Sequence, residues 1–140
     1  MTIYNYRPEN INATYNGRIV SMFGKSDNGI ETETIDDKNT LTRLLDGSGY
    51  LTGRVNEGAR QSVYLARGSA DAQFFQDCYD NEVELNSVIN VMSDTASEQL
   101  LCKSGFVTKI GSMNHFGADV DDVVFTIEYL SVKHRHNTTI

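Results

Sequence analysis

Cysteine is scarce in this chain. Cys78 and Cys102 are the two among 140 residues, too few for a disulfide framework. Buried free thiols in a reducing compartment are the simpler account. Pro8 is the one proline. No apolar run approaches the roughly 20 residues that a membrane-crossing helix needs, so no membrane insertion is expected. Met1-Thr2-Ile3-Tyr4 lacks the basic and apolar regions of a signal peptide, and none is expected. Basic patches are missing too, which argues against base-specific nucleic-acid binding.

The sharpest absence is of one charge sign. No Lys or Arg stands between Gly68 and Cys102, a stretch that holds Asp71, Asp77, Asp80, Glu82, Glu84, Asp94 and Glu98. These are seven of the 19 acids; the other 12 balance the 12 bases, so the net charge of -7 rests on this one segment. Such a surface either stays a solvated face or repels anionic polymers and attracts a basic partner.

What is present is mainly strand. Gln61, Val63 and Leu65 alternate with Ser62, Tyr64 and Ala66, the period of a half-buried strand. Gly68 then breaks it, and Ser69 is a good helix N-cap. Asp71 suits the positive end of the macrodipole. Phe74, Phe75, Cys78 and Tyr79 recur at helical spacing, with Gln73, Gln76, Asp77 and Asp80 opposite. The pattern predicts one helix over Ala70–Asp80, packed on a sheet through those four apolar residues.

The chain reads as one domain over 1–140. Residues 1–10 form an extended arm. Ile11–Tyr15 and Arg18–Phe23 are strands joined by Asn16-Gly17, the pair that best tolerates a type I′ turn. Ile30–Ile35 is a third strand, carrying Glu31 and Glu33. Asp36–Gly58 is a long loop or protruding hairpin: Leu41, Leu44 and Leu45 could make one helical turn, but Asp46-Gly47-Ser48-Gly49 stops it. A loop of that length is usually functional. Further strands follow over Ser87–Met92, Leu100–Ile110, with an interruption or bulge at Gly105, and Val123–Val132. Residues 133–140 read as a polar tail.

No catalytic constellation stands out, and no cofactor is expected. His115 has no nucleophile at recognisable spacing. Asp119-Val120-Asp121-Asp122 lacks the glycine and terminal glutamate of a calcium loop. His134 and His136 share one face of an extended segment and could take up a metal, but a frayed, solvated tail is the expectation, and no metal site is assigned. Lys25 and Ser26 belong to no phosphate loop, since no glycine-rich run enters a helix there.

Taken in order, several motifs form a recognisable series. Ile3-Tyr4-Asn5-Tyr6-Arg7-Pro8 leads into Tyr15-Asn16-Gly17-Arg18-Ile19-Val20. Gly29-Ile30-Glu31-Thr32-Glu33, Asp46-Gly47-Ser48-Gly49 and the strand entering Ser69 and its helix come next. His115-Phe116-Gly117-Ala118-Asp119-Val120 and a last strand close it. Over almost the whole chain this resembles the tail tube proteins of contractile-tailed bacteriophages, related in plan to the tubes of type VI secretion and phage-like bacteriocins. The resemblance implies a β-sandwich or split-barrel subunit with a flanking helix, whose strands join neighbours into a closed ring barrel. Six subunits would make a ring, and stacked rings a hollow conduit through which DNA passes without sequence-specific binding. It implies a structural protein rather than an enzyme. Its partners would be copies of itself, the tail sheath, the tape measure, the baseplate and the tail terminator. Its place would be the virion tail, assembled in the host bacterial cytoplasm. On that reading Asp71, Asp77, Asp80, Glu82 and Glu84 form a sheath-facing acidic band. Asp36, Asp37, Lys38, Leu41, Arg43, Leu44 and Leu45 form a contact between rings or subunits, and Glu31 and Glu33 are candidates for the lumen. Composition alone equally allows a soluble β-sandwich module that binds a ligand such as a carbohydrate.

Overall fold

The Asn16-Gly17 turn anchors one edge of the structure. Both residues adopt positive φ, 52° and 84°, and Tyr15 pairs with Arg18 across a two-residue loop. Asn16 is more than a turn former. Its side chain donates to Glu84 O at 3.0 Å and accepts from Asn86 N at 2.9 Å, tying the turn to a neighbouring strand. The computed structural model describes residues 11–21, 23–24, 29–35, 39–53, 58–92, 96–111 and 121–138. The arm expected over 1–10, His115 and the loop residues Asp36, Asp37 and Lys38 lie outside them.

In chain order the elements are β1 (Ile11–Tyr15), β2 (Arg18–Val20), β3 (Ile30–Thr34), β4 (Asn39–Arg43), β5 (Gly49–Gly53), β6 (Ala59–Leu65), α1 (Ala70–Asp80), β7 (Leu85–Met92), β8 (Ala96–Ile110) and β9 (Val123–Thr138). Among the described residues, seven strands form one antiparallel sheet in the order β2-β1-β7-β8-β9-β6-β3, and β4 and β5 form a separate hairpin. The fold is mainly β with one helix, as the pattern predicts. It is built from a single sheet rather than from the two sheets of a sandwich. That sheet is strongly curled. Tyr15 of β1 and Gln61 of β6 are separated by three intervening strands, yet the Tyr15 hydroxyl donates to Gln61 Oε1 at 2.6 Å. Between the edge strands β2 and β3 the chain also reaches across, with Phe23 bridging to Leu65.

The concave face is the core. Ala59, Gln61, Val63 and Leu65 of β6 are buried, as are Val123, Phe125, Ile127 and Tyr129 of β9. This is the period-two pattern read from the sequence. At the centre sits a closed polar network. Gln61 Oε1 accepts from both Tyr15 and Tyr129, while Gln61 Nε2 donates to Thr32 Oγ1 at 2.9 Å, and Ser87 Oγ donates to the Tyr129 hydroxyl at 3.1 Å. Burial pushes both tyrosine pKa values up. A buried network is stabilising only when every member is partnered, and no buried side-chain polar atom among the described residues lacks a partner.

Helix α1 closes one end of this interior. Ser69 caps it, accepting from Ala72 N at 3.2 Å. Phe75 is fully buried, edge-on to Tyr15 at 4.9 Å and stacked on Phe125 at 5.6 Å. Cys78 is buried beside it, and Phe74 is half-buried against the same core, under the Arg18 guanidinium. Tyr79, expected on the packed face, is 41% exposed. The buried line runs Asp71, Ala72, Phe75, Cys78, and one residue further rotates the side chain by about 100° onto the flank.

One expectation about the strands holds and one changes. The irregularity expected at Gly105 exists as a register shift between β7 and β8, where Leu85 pairs with Gly105 and Ser87 with Cys102. Ser104 takes φ 57° there, and Gly105 is required because a Cβ would stand 2.3 Å from the Tyr129 ring. Of the polar tail expected over 133–140, residues 133–138 instead continue β9. It is paired residue by residue with β8, from Lys133 opposite Leu101 to Thr138 opposite Ala96. Backbone hydrogen bonds carry this extension, so side-chain polarity gave no sign of it.

Candidate assembly surfaces

The β4–β5 hairpin is well formed locally and almost uncovered. Leu41 pairs with Leu51 and Thr42 with Tyr50. The connecting turn is held by Asp46, whose carboxylate accepts from Ser48 N at 3.0 Å and Ser48 Oγ at 2.5 Å. Those bonds lower the Asp46 pKa. Gly47 takes φ 91°, and Leu44 N donates to Ser48 O at 2.8 Å. Every residue of both strands is exposed. Leu45 lies fully open to solvent, and Leu51, Tyr50 and Leu41 are 70%, 64% and 62% exposed. A lone two-stranded hairpin is marginal in water, and exposed apolar side chains gathered on one element are a candidate interaction surface. Leu41 and Leu45 thus have little cover from the rest of the chain, Leu44 is 40% exposed, and Arg43 stands exposed at the end of β4.

The sheet leaves two further openings. Among the described residues its edges are β2 and β3, each with one side of its backbone available for pairing. Glu31 and Glu33 lie on the edge strand β3, both exposed. They share their face with the Arg60–Glu128 ion pair of β6 and β9, closed at 3.1 Å.

The acidic segment divides into two parts. Asp77, Asp80, Glu82 and Glu84 are all exposed around the C-terminal end of α1. Gln73 and Gln76 donate to Asp77 and Asp80 one turn on, at 2.8 and 3.2 Å. Asp71 leaves the outward set. It is buried, bonds Arg18 Nη2 at 3.1 Å and accepts from Ser21 N at 3.1 Å, pinning the helix start to the end of β2. Its position inside the first turn, read as a dipole partner, also aims it at the sheet.

A cavity of about 730 Å³ opens at the other end of the curled sheet from α1. Its walls are chiefly aliphatic, with Ile30, Ile89, Val91, Leu100 and Val132 among them. Of the weaker sequence signals, Asp122 is described, and its carboxylate occupies the space that a side chain at position 24 would fill.

No protein-family model matches the sequence, and no curated protein matches it. Solved structures do. The fold aligns with a chain of the PVC sheath–tube complex of an extracellular contractile injection system in its extended state. The TM-score is 0.63 at 11% identity, over 97% of this chain and 93% of that one. A chain of the tube-terminating cap of the anti-feeding prophage gives 0.60 at 11% identity, over 96% and 93%. The PVC sheath/tube terminator gives 0.58 at 11% identity, over 96% and 99%. The protein has the fold shared by tube and tube-terminator structures of contractile injection systems. This is the group to which the sequence resemblance pointed.

Proposed function

We propose that this chain is a structural subunit of the tube of a contractile injection system, six copies to a ring and rings stacked into a hollow conduit. The observation that carries this reading is the uncovered β4–β5 hairpin, together with two open sheet edges among the described residues. Burying Leu41, Leu45, Tyr50 and Leu51 on a neighbour is worth roughly 1.5–3 kcal/mol for each side chain fully covered. Pairing at β2 and β3 joins strands of adjacent subunits into a larger barrel, which removes the exposed edges. Head-to-tail contacts of this kind close a ring in one direction and propagate a filament in the other.

In such a tube Glu31 and Glu33 face the bore, where acids keep a nucleic-acid cargo from adhering. Asp77, Asp80, Glu82 and Glu84 face outward to a sheath. The finer assignment is the inner tube of a phage tail that conducts DNA, with tape measure, baseplate and terminator as further partners within the virion. The role is mechanical and calls for no active site. The alternative of a carbohydrate-binding module would use the cavity, whose walls are chiefly aliphatic with Thr32, Glu33, Thr34, Glu98 and His134 among them; sugar titration followed by thermal unfolding tests it. Negative-stain microscopy of the purified protein should show rings or hollow filaments, while Leu41→Asp and Leu51→Asp should leave folded subunits that do not polymerise. Wild-type protein that stays monomeric at high concentration, or normal filaments from both variants, would refute the reading.

A further inference from the structure

The extension of β9 brings together three side chains far apart in sequence. Glu98 of β8 is directly opposite His136 and diagonal to His134. Alternation along the strand places all three on one face, at the mouth of the cavity that Glu98 and His134 line. His134 Nε2 lies 2.5 Å from Glu98 Oε1, and the two imidazole rings are 4.1 Å apart between centroids. One ligand atom from each residue falls within 4.8 Å of the other two. Lys133 and Arg135, at the alternate positions, project to the opposite face, so their charge is kept away from the cluster.

We propose that Glu98, His134 and His136 bind a divalent transition-metal ion of the zinc class. Two imidazoles and one carboxylate are a donor set that such ions favour, and three protein ligands leave coordination positions open. Ligand bonds of about 2.0–2.1 Å at tetrahedral angles hold donor atoms somewhat over 3 Å apart. The ion therefore takes the place of the direct His134–Glu98 contact and spreads that pair slightly. Half-exposed side chains at a strand end can make that shift by rotamer change alone. The bound ion clips the start of β8 to the end of β9, the part of the sheet whose side chains contribute least to the core. This inference stands independently of the tube reading.

The test uses full-length, tag-free protein stripped with a chelator and titrated with cobalt(II), then zinc(II). Visible absorption reports cobalt coordination, and thermal unfolding reports the clip. Cobalt bands should saturate at one ion per chain and be displaced by zinc, and zinc should raise Tm. His134→Ala and His136→Ala should each weaken binding by about tenfold or more, and the double variant should abolish it. Glu98→Gln keeps a hydrogen-bonding partner for His134 but removes the charged ligand, so it should weaken metal binding with little effect on metal-free stability. His115→Ala should bind as the wild type does. Absence of cobalt bands, binding that survives in the double variant, or loss of binding in His115→Ala would overturn the assignment.

Discussion

Neutralising the acids at the end of α1 should make the protein more stable and, on the proposed tube reading, weaken its hold on a sheath. Asp77 and Asp80 lie in the last turn of the helix, where no basic residue is present. The partial negative charge of the helix C-terminus disfavours each by roughly 0.3–1 kcal/mol, and Glu82 and Glu84 add like charge just beyond. Asp→Asn keeps the acceptor oxygen that Gln73 and Gln76 bond, so the substitution removes charge and little else. Asp77→Asn with Asp80→Asn should therefore stabilise the subunit by about 1 kcal/mol, or roughly 3–5 °C in Tm for a domain of this size. Adding Glu82→Gln and Glu84→Gln removes the rest of the outward band. If that band grips a basic sheath surface, the quadruple variant should form normal tubes that fail to bind sheath protein in co-sedimentation. Wild-type binding should fall with added salt, because exposed pairs are each worth only about 0–1 kcal/mol and act by number around the ring. A destabilised quadruple variant would refute the dipole argument. Unchanged sheath binding would refute the placement, and impaired passage of cargo with normal sheath would move these residues to the bore.

Other outcomes follow from the core. Phe75→Ala should cost about 3–5 kcal/mol, seen as a lower urea midpoint, whereas Phe74→Ala should cost less because that ring is only half-buried. Gly105→Ala forces a methyl into the Tyr129 ring and should destabilise by about 1–3 kcal/mol, measured by thermal unfolding. Tyr15 and Tyr129 hold raised pKa values in the fold, so the native state keeps protons that the unfolded chain releases above about pH 10. Their contribution should be constant through neutral pH and be lost as pH rises past 10, on top of the loss from the buried Cys78 and Cys102 thiols, which burial also pushes up; constant urea midpoints up to pH 11 would contradict the buried network.

The readable parts of the sequence were those where one local rule settles the matter. Asn16-Gly17 calls for positive φ, Ser69 offers a cap oxygen, and the alternation in β6 and β9 assigns each residue to one face. The unreadable parts depend on what lies across the sheet. Asp71 has the same local signature whether it faces solvent or Arg18, and only the return of β2 beside the helix decides it. Gln61 looks like a polar interruption in a buried series until Tyr15, Tyr129 and Thr32 converge on its amide from three other strands. Residues 133–136 are polar and exposed, so hydropathy reports a tail while the β8 backbone specifies a strand through Thr138. The same cause hid the cluster of Glu98, His134 and His136. His134 and His136 are visible as a pair two apart, but the third ligand is 36 residues from His134 and is brought opposite only by the register of β8 on β9. Exposed strand ends are therefore where sequence reading of this chain is weakest. One such end is also where the proposed metal cluster falls.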